Sequence, residues 1–219
     1  MAKFEGFGAD FAKDYDDAKA IAYGDKPGAL PAGAYVLEIK NAKMRDTQNG
    51  KRYLALLFDI AEGECEGYYQ ALYEYEKKFD SAEEYKKAKW KGIFRIWMPD
   101  KNDGEDKYKS AMSRLKAAIT AINNSNQTNP PINPRNGWGE EDFKGKLVGG
   151  AFGEKEWEWG CRTGWKTECR WLADVEKVRE GKVNTPEKLP LKNKPETKKE
   201  NDEDLSGYSD IISENDLPF

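Results

Sequence analysis

Two segments of two-residue alternation, residues 34–44 and 52–60, flank the tetrapeptide Thr47-Gln48-Asn49-Gly50, and this feature narrows the possible folds most. In the first segment Tyr35, Leu37 and Ile39 share one face while Val36, Glu38 and Lys40 share the other. The second repeats the pattern with Leu54, Leu56, Phe58 and Ile60. Period two marks a strand with one face against a core. Asn-Gly tolerates the positive φ angles of a tight turn, so the two strands are expected to pair antiparallel.

The rest of the chain extends this β pattern. After Gly63 and Gly67, residues 68–75 read as a third strand. Ser81-Ala82-Glu83-Glu84 reads as a capping box opening a short helix towards Trp90, and residues 93–98 as a fourth strand. Tyr108, Met112, Leu115, Ile119 and Ile122 recur at spacings of four, three, four and three, which predicts an amphipathic helix over 107–123 packed on a sheet. Residues 123–139 carry Pro130, Pro131 and Pro134 among six asparagines and are expected to form a long loop. Residues 146–152, 156–160 and 168–178 supply two or three more strands. The expected fold class is mainly β (α+β), a small closed antiparallel barrel with inserted helices.

Composition divides the chain into an N-terminal arm (1–30) with a helix-like patch at 11–22, a folded domain (31–181), a flexible linker (182–199) and an acidic tail (200–219). Pro186, Pro190, Pro195 and many lysines leave the linker too few apolar groups to offset its ordering entropy. Seven of the 40 acids and none of the 36 bases fall in the tail, so the preceding 199 residues carry a net +3. With no histidine, the commonest general base is absent, and Cys65, Cys161 and Cys169 cannot complete a four-ligand Cys/His zinc site. All three thiols are expected to be structural, and no cofactor is expected. There is no run of about 18 apolar residues and no signal-peptide pattern, so no membrane association is expected and a cytoplasmic location is.

The chain ends Glu214-Asn215-Asp216-Leu217-Pro218-Phe219. This closely resembles the acidic tip of bacterial single-stranded DNA-binding proteins (SSB), where acids precede a terminal Asp-(Leu/Ile)-Pro-Phe. Leu30-Pro31-Ala32-Gly33-Ala34-Tyr35 leading into Thr47-Gln48-Asn49-Gly50-Lys51 is similar to a phage family of replication-region proteins held to bind single strands. So is the stretch from Lys144-Gly145-Lys146 to Val175-Glu176-Lys177-Val178-Arg179-Glu180-Gly181. The resemblance implies an OB-fold-like domain that coats single-stranded DNA in a bacterial host. It also implies a tip, formed by Glu214, Asp216, Leu217, Pro218 and Phe219, that recruits replication, recombination or repair proteins. In physical terms, Phe219 fills an apolar pocket and Pro218 restricts the free peptide. A homo-oligomer is one assembly the sequence allows.

The 27 aromatics fit that function, because unpaired bases stack on flat rings beside a cationic groove. On the strand over 93–98, Arg95 and Trp97 share the face away from the presumed core. Arg45, Lys51, Arg52 and Tyr53 surround the first hairpin turn. Tyr73 and Tyr75 share a face of the presumed third strand. Trp157 and Trp159 precede Arg162, Trp165, Lys166 and Arg170. These are the candidate DNA-binding residues, with core filling the competing role for any one ring. A strand-annealing protein, a recombination mediator and a protein-binding barrel are the alternatives. No enzyme is expected: a metal-dependent nuclease would need Asp100 with Asp142 and Lys144, or Glu154, Glu156 and Glu158, and such groupings arise by chance in a chain this rich in acids.

Overall fold

The computed structural model describes residues 26–80, 87–127 and 131–191. The N-terminal arm up to residue 25, the capping box at 81–84, the linker from residue 192 and the acidic tail lie outside the described residues. Strands β1 (Gly33–Asp46), β2 (Arg52–Ile60), β3 (Ile93–Trp97), β4 (Leu147–Trp159) and β5 (Arg162–Ala173) form one sheet in the order β3-β2-β1-β4-β5. Every pairing is antiparallel. Among the described residues three α-helices accompany it, α1 (Tyr68–Lys77), α2 (Glu105–Asn126) and α3 (Val175–Arg179). The chain is thus α+β with an antiparallel sheet, as its patterning requires. The sheet is open: β3 and β5 are its edges, and no pairing closes it among the described residues. α2 packs on β3, β4 and β5, so a helix rather than a strand ladder links the two edges.

The first hairpin forms where the alternation places it. Gly50, at φ 73°, donates its N–H to the Thr47 carbonyl at 2.8 Å, and Lys51 donates to Thr47 Oγ1 at 3.0 Å. That left-handed geometry suits glycine and closes the turn without strain. β2 departs from the expected half-burial, since every residue from Tyr53 to Ile60 is buried. It is an inner strand with side chains in contact on both faces, and its Ala55, Leu57 and Asp59 occupy the face read as solvent-facing.

Residues 68–77 are the helix α1, not the expected third strand. The cause lies in β2. The Asp59 carboxylate, 4% exposed, accepts N–H bonds from Ile60 (2.8 Å), Tyr69 (2.9 Å) and Gln70 (3.0 Å). It therefore satisfies first-turn donors that a helix otherwise leaves without partners. Helical spacing then turns Tyr69, Leu72 and Tyr73 inward, where Tyr69 meets Phe58 edge-on at 5.4 Å.

The C-terminal half also differs from its expected segmentation. The strands read at 146–152 and 156–160 are one strand, β4. The strand read at 168–178 begins earlier, at Arg162, and gives way to α3 after Ala173. α2 runs three residues beyond the expected end at 123, because its last asparagines bond to the chain that follows. Asn123 exchanges two 2.9 Å bonds with the Ile132 backbone, and Asn126 accepts from Leu147 N–H at 2.8 Å and donates to its carbonyl at 2.7 Å. Only the second half of the expected stripe is buried, at Leu115, Ile119 and Ile122, while Met112 is 41% exposed. Residues 186–191, read as part of a flexible linker, run along β4: Leu189 donates to the Glu154 carbonyl and accepts from Glu156 N–H, both at 2.9 Å.

Asp59→Ala strips three backbone donors of their acceptor and is expected to destabilise the fold by about 2 to 4 kcal/mol. A lower urea midpoint at unchanged slope is the expected reading. A midpoint equal to wild type would contradict the capping role.

Candidate nucleic-acid interface

Residues directly opposite one another in an antiparallel pair share a face, so register assembles the site. Arg45 lies opposite Tyr53, and Tyr53 opposite Trp97. One step along, Lys43 lies opposite Ala55, and Ala55 opposite Arg95. Lys43, Arg45, Tyr53, Arg95 and Trp97 therefore occupy one face of β1, β2 and β3. The alternate rows, Ala42-Leu56-Phe94 and Met44-Leu54-Ile96, turn to the other face, and Ala42, Leu54, Leu56 and Ile96 are buried there. Arg95 and Trp97 share a face as expected, but that face is not free of the core, since Tyr53 and Ala55 on it are buried.

Tyr53 has a supporting place in this group. It is 6% exposed, with the Trp97 ring 5.1 Å away and tilted, and the Arg95 guanidinium 5.6 Å from its ring centre. Trp97 itself keeps 45% exposure. In the adjoining turn Lys51 Nζ lies 3.2 Å from Asp103, and Arg52 Nε is 2.8 Å from Asp46. The Arg52 hydrogen bond holds the Asp46 carboxyl below its usual range.

Beside β3 lies a groove of about 1240 Å³, walled by the two sheet edges and α2. Five cations (Lys51, Arg95, Lys107, Arg114, Arg170) and two acids (Asp106, Glu187) line it. Lys107, Ser110, Ala111 and Arg114 reach it from α2 at spacings of three and four, which is one helical face with small residues between two cations. The Trp171 ring, 44% exposed, faces it from β5. Trp171, Lys107 and Arg114 are absent from the sequence-derived candidates. The adjacent Arg170-Trp171 pair was the available signal, but only the tertiary arrangement sets β5 against β3 and α2.

The remaining candidates separate. On the β4–β5 hairpin Trp159 lies opposite Arg162, Trp157 opposite Gly164 and Lys155 opposite Lys166, so these form one face. A Cβ on Gly164 would approach the Trp157 ring to 2.9 Å, so that ring rests on the glycine. Trp159 at the tip is 72% exposed. Trp165 lies opposite Glu156, on the other face from Trp157 and Trp159, with Lys188 Nζ 5.3 Å from its ring centre. Tyr73 and Tyr75 do not form a strand-borne platform, because they belong to α1. Tyr73 is 4% exposed and packs 6.0 Å from Trp90, and Tyr75 packs 5.2 Å from Phe79. The tip residues 214–219 lie outside the described residues.

Acids weighed for metal chemistry have other partners. Asp100 accepts from Asn102 N–H and Asp142 from Gly139 N–H. Glu154 pairs with Lys188, and Glu156 accepts from Leu191 N–H. Among the described residues no group of three or more His, Cys, Asp or Glu side chains is placed to hold a metal ion, and no helix is long and apolar enough to cross a membrane. All three thiols are unpaired to one another. Burial drives the Cys169 thiol far above its ordinary range, whereas Cys161 is exposed at the hairpin turn beside Trp159 and Arg162. Iodoacetamide is therefore expected to alkylate Cys161 faster than the half-buried Cys169 in the folded protein, a difference that unfolding removes, read by peptide mass spectrometry. Native-state labelling of Cys169 at the rate of Cys161 would contradict the packing of β5.

A family model described as "Protein of unknown function (DUF669)" matches residues 14–98, a span that takes in β1, β2, α1 and β3. No curated protein matches the chain. Residues 14–98 thus carry the likeness to that family, and they include all five side chains of the aromatic and cationic face, Lys43, Arg45, Tyr53, Arg95 and Trp97.

Proposed function

We propose that the protein binds single-stranded DNA with little sequence preference across the face of β1, β2 and β3 and the adjoining groove. The observation that carries the reading is the row Arg45-Tyr53-Trp97 beside Arg95. A half-exposed indole packs against a buried phenol beside two cations. Stacking of that kind contributes about 1 to 3 kcal/mol per base and accepts any base. The cations supply the phosphate contacts, and a single strand can enter between the separated edges β3 and β5.

The finer fold reading belongs with this one. An OB-fold is a five-stranded, partly open barrel that binds through the face of its second and third strands and through its first-to-second and fourth-to-fifth loops. Here the corresponding elements carry Arg52, Tyr53, Arg95 and Trp97 on the strands, Lys51 in the first loop, and Trp159 and Arg162 about the second. In the same reading the protein is a phage-type SSB in a bacterial cytoplasm and acts by coating rather than by catalysis. The acidic segment with Glu214, Asp216, Leu217, Pro218 and Phe219 then docks on replication, recombination or repair proteins. Its seven acids also compete with DNA for the cationic groove.

Titration with oligo(dT) tests the proposal. Tryptophan fluorescence is expected to be quenched, duplex DNA of equal length to bind more weakly, and log affinity to fall with log salt at about −3 to −3.5, the slope of four or five neutralised phosphates. A chain ending at Lys199 is expected to bind more tightly in low salt. Unquenched fluorescence at saturating oligo(dT), or no binding at all, would refute the proposal.

A further inference from the structure

Arg170 has no opposite number on β4. Pairing runs from Phe152 with Cys169 to Ala151 with Trp171, which makes Arg170 the extra residue of a bulge. Bulges re-aim a side chain relative to the regular pleat, and Arg170 lines the groove with its side chain 15% exposed. The guanidinium is held in place: Nη1 donates to Glu168 Oε1 at 2.8 Å, and Glu168 is braced in turn by Lys166 at 3.5 Å and Lys155 at 3.6 Å. Three cations thus surround one carboxylate, leaving local positive charge. Arg170 Nη2 is buried and has no hydrogen-bond partner among the described residues. A guanidinium cannot lose its proton to relieve that situation, so the group stays charged beside the groove it lines.

Two features identify the acceptor. Lys107 and Arg114 line the same groove from α2, so an anion near Arg170 is met by charge from both walls. Phe94, Trp97 and Trp171 line it as well, which suits a ligand that alternates anions with flat rings. A phosphodiester brings an anion to the Arg170 charge and carries such rings on either side. Resting on the single-strand reading of the groove, we infer that Arg170 is a built phosphate-anchoring position, oriented by Glu168 and aimed by the bulge. An acidic peptide would satisfy the charge but has no use for the rings.

The test compares oligo(dT) binding by the full chain with that of Arg170→Gln, Arg170→Lys, Glu168→Gln and Trp97→Ala across a salt series, with thermal melting as the check on folding. Arg170→Gln is expected to weaken binding about tenfold and to flatten the salt slope by about 0.7, one phosphate. Arg170→Lys keeps the slope while losing affinity, because it retains charge without the fork. Glu168→Gln separates positioning from bulk charge: it adds positive charge to the groove, yet is expected to weaken binding by loosening Arg170. Tighter binding by Glu168→Gln, or wild-type affinity and slope for folded Arg170→Gln, would overturn the anchoring role. If Trp97→Ala weakens binding while Arg170→Gln does not, the anchor falls and the groove reading stands. If the wild-type chain binds no oligonucleotide, both fall. Arg170-dependent binding of poly-glutamate without binding of oligo(dT) would also overturn the phosphate assignment.

Discussion

Register across β1, β2 and β3 sets which side chains stand on the proposed binding face. A slip of one residue would turn Arg45, Tyr53, Arg95 and Trp97 into the core and expose Leu54, Leu56 and Ile96 instead. Burial of that apolar row is what prevents the slip, and the five-residue turn at 47–51 fixes where pairing begins. The core thereby sets the opposite face, where Trp97 is half-exposed over the buried Tyr53.

Large rings left partly in water are costly to keep in a folded chain without another use. Trp97, Trp159, Trp165 and Trp171 are 44 to 72% exposed, whereas Trp90 is sealed at 2%, with its indole N–H bonded to the Phe58 and Gly92 carbonyls. The contrast separates two roles for one residue type. Trp90 closes the core beneath α1, and the others border the groove or the β4–β5 hairpin. Exposed rings of this kind point to contact with a partner.

How far the sequence was legible follows from how local each signal was. The β1–β2 hairpin needed only its alternation and Asn-Gly, and Arg95 with Trp97 needed only strand parity. α1 was misread because Tyr68, Tyr69, Tyr73 and Tyr75 suit a strand as well as a helix, while the deciding cap, Asp59, sits on the preceding strand. That error carried Tyr73 into the candidate site. The groove was illegible because its walls come from β3, α2 and β5, which are separated in sequence by long connections. The openness of the sheet was likewise hidden, since short alternating strands read the same whether or not the last pairing is made. Trp165 shows the opposite case: its separation from Trp157 and Trp159 follows from β4–β5 register alone, once the hairpin turn at Gly160 and Cys161 is known.

The central claim is that an unpaired strand lies on the Trp97 face and passes between β3 and β5. Photocross-linking with oligonucleotides carrying 5-iodouracil, followed by peptide mass spectrometry, locates the bases directly. The account predicts adducts on Trp97 and Trp171, the rings that border the groove from its two edges. Adducts confined to α1, or to the Trp165 face of the hairpin, with none on Trp97 or Trp171, would contradict it.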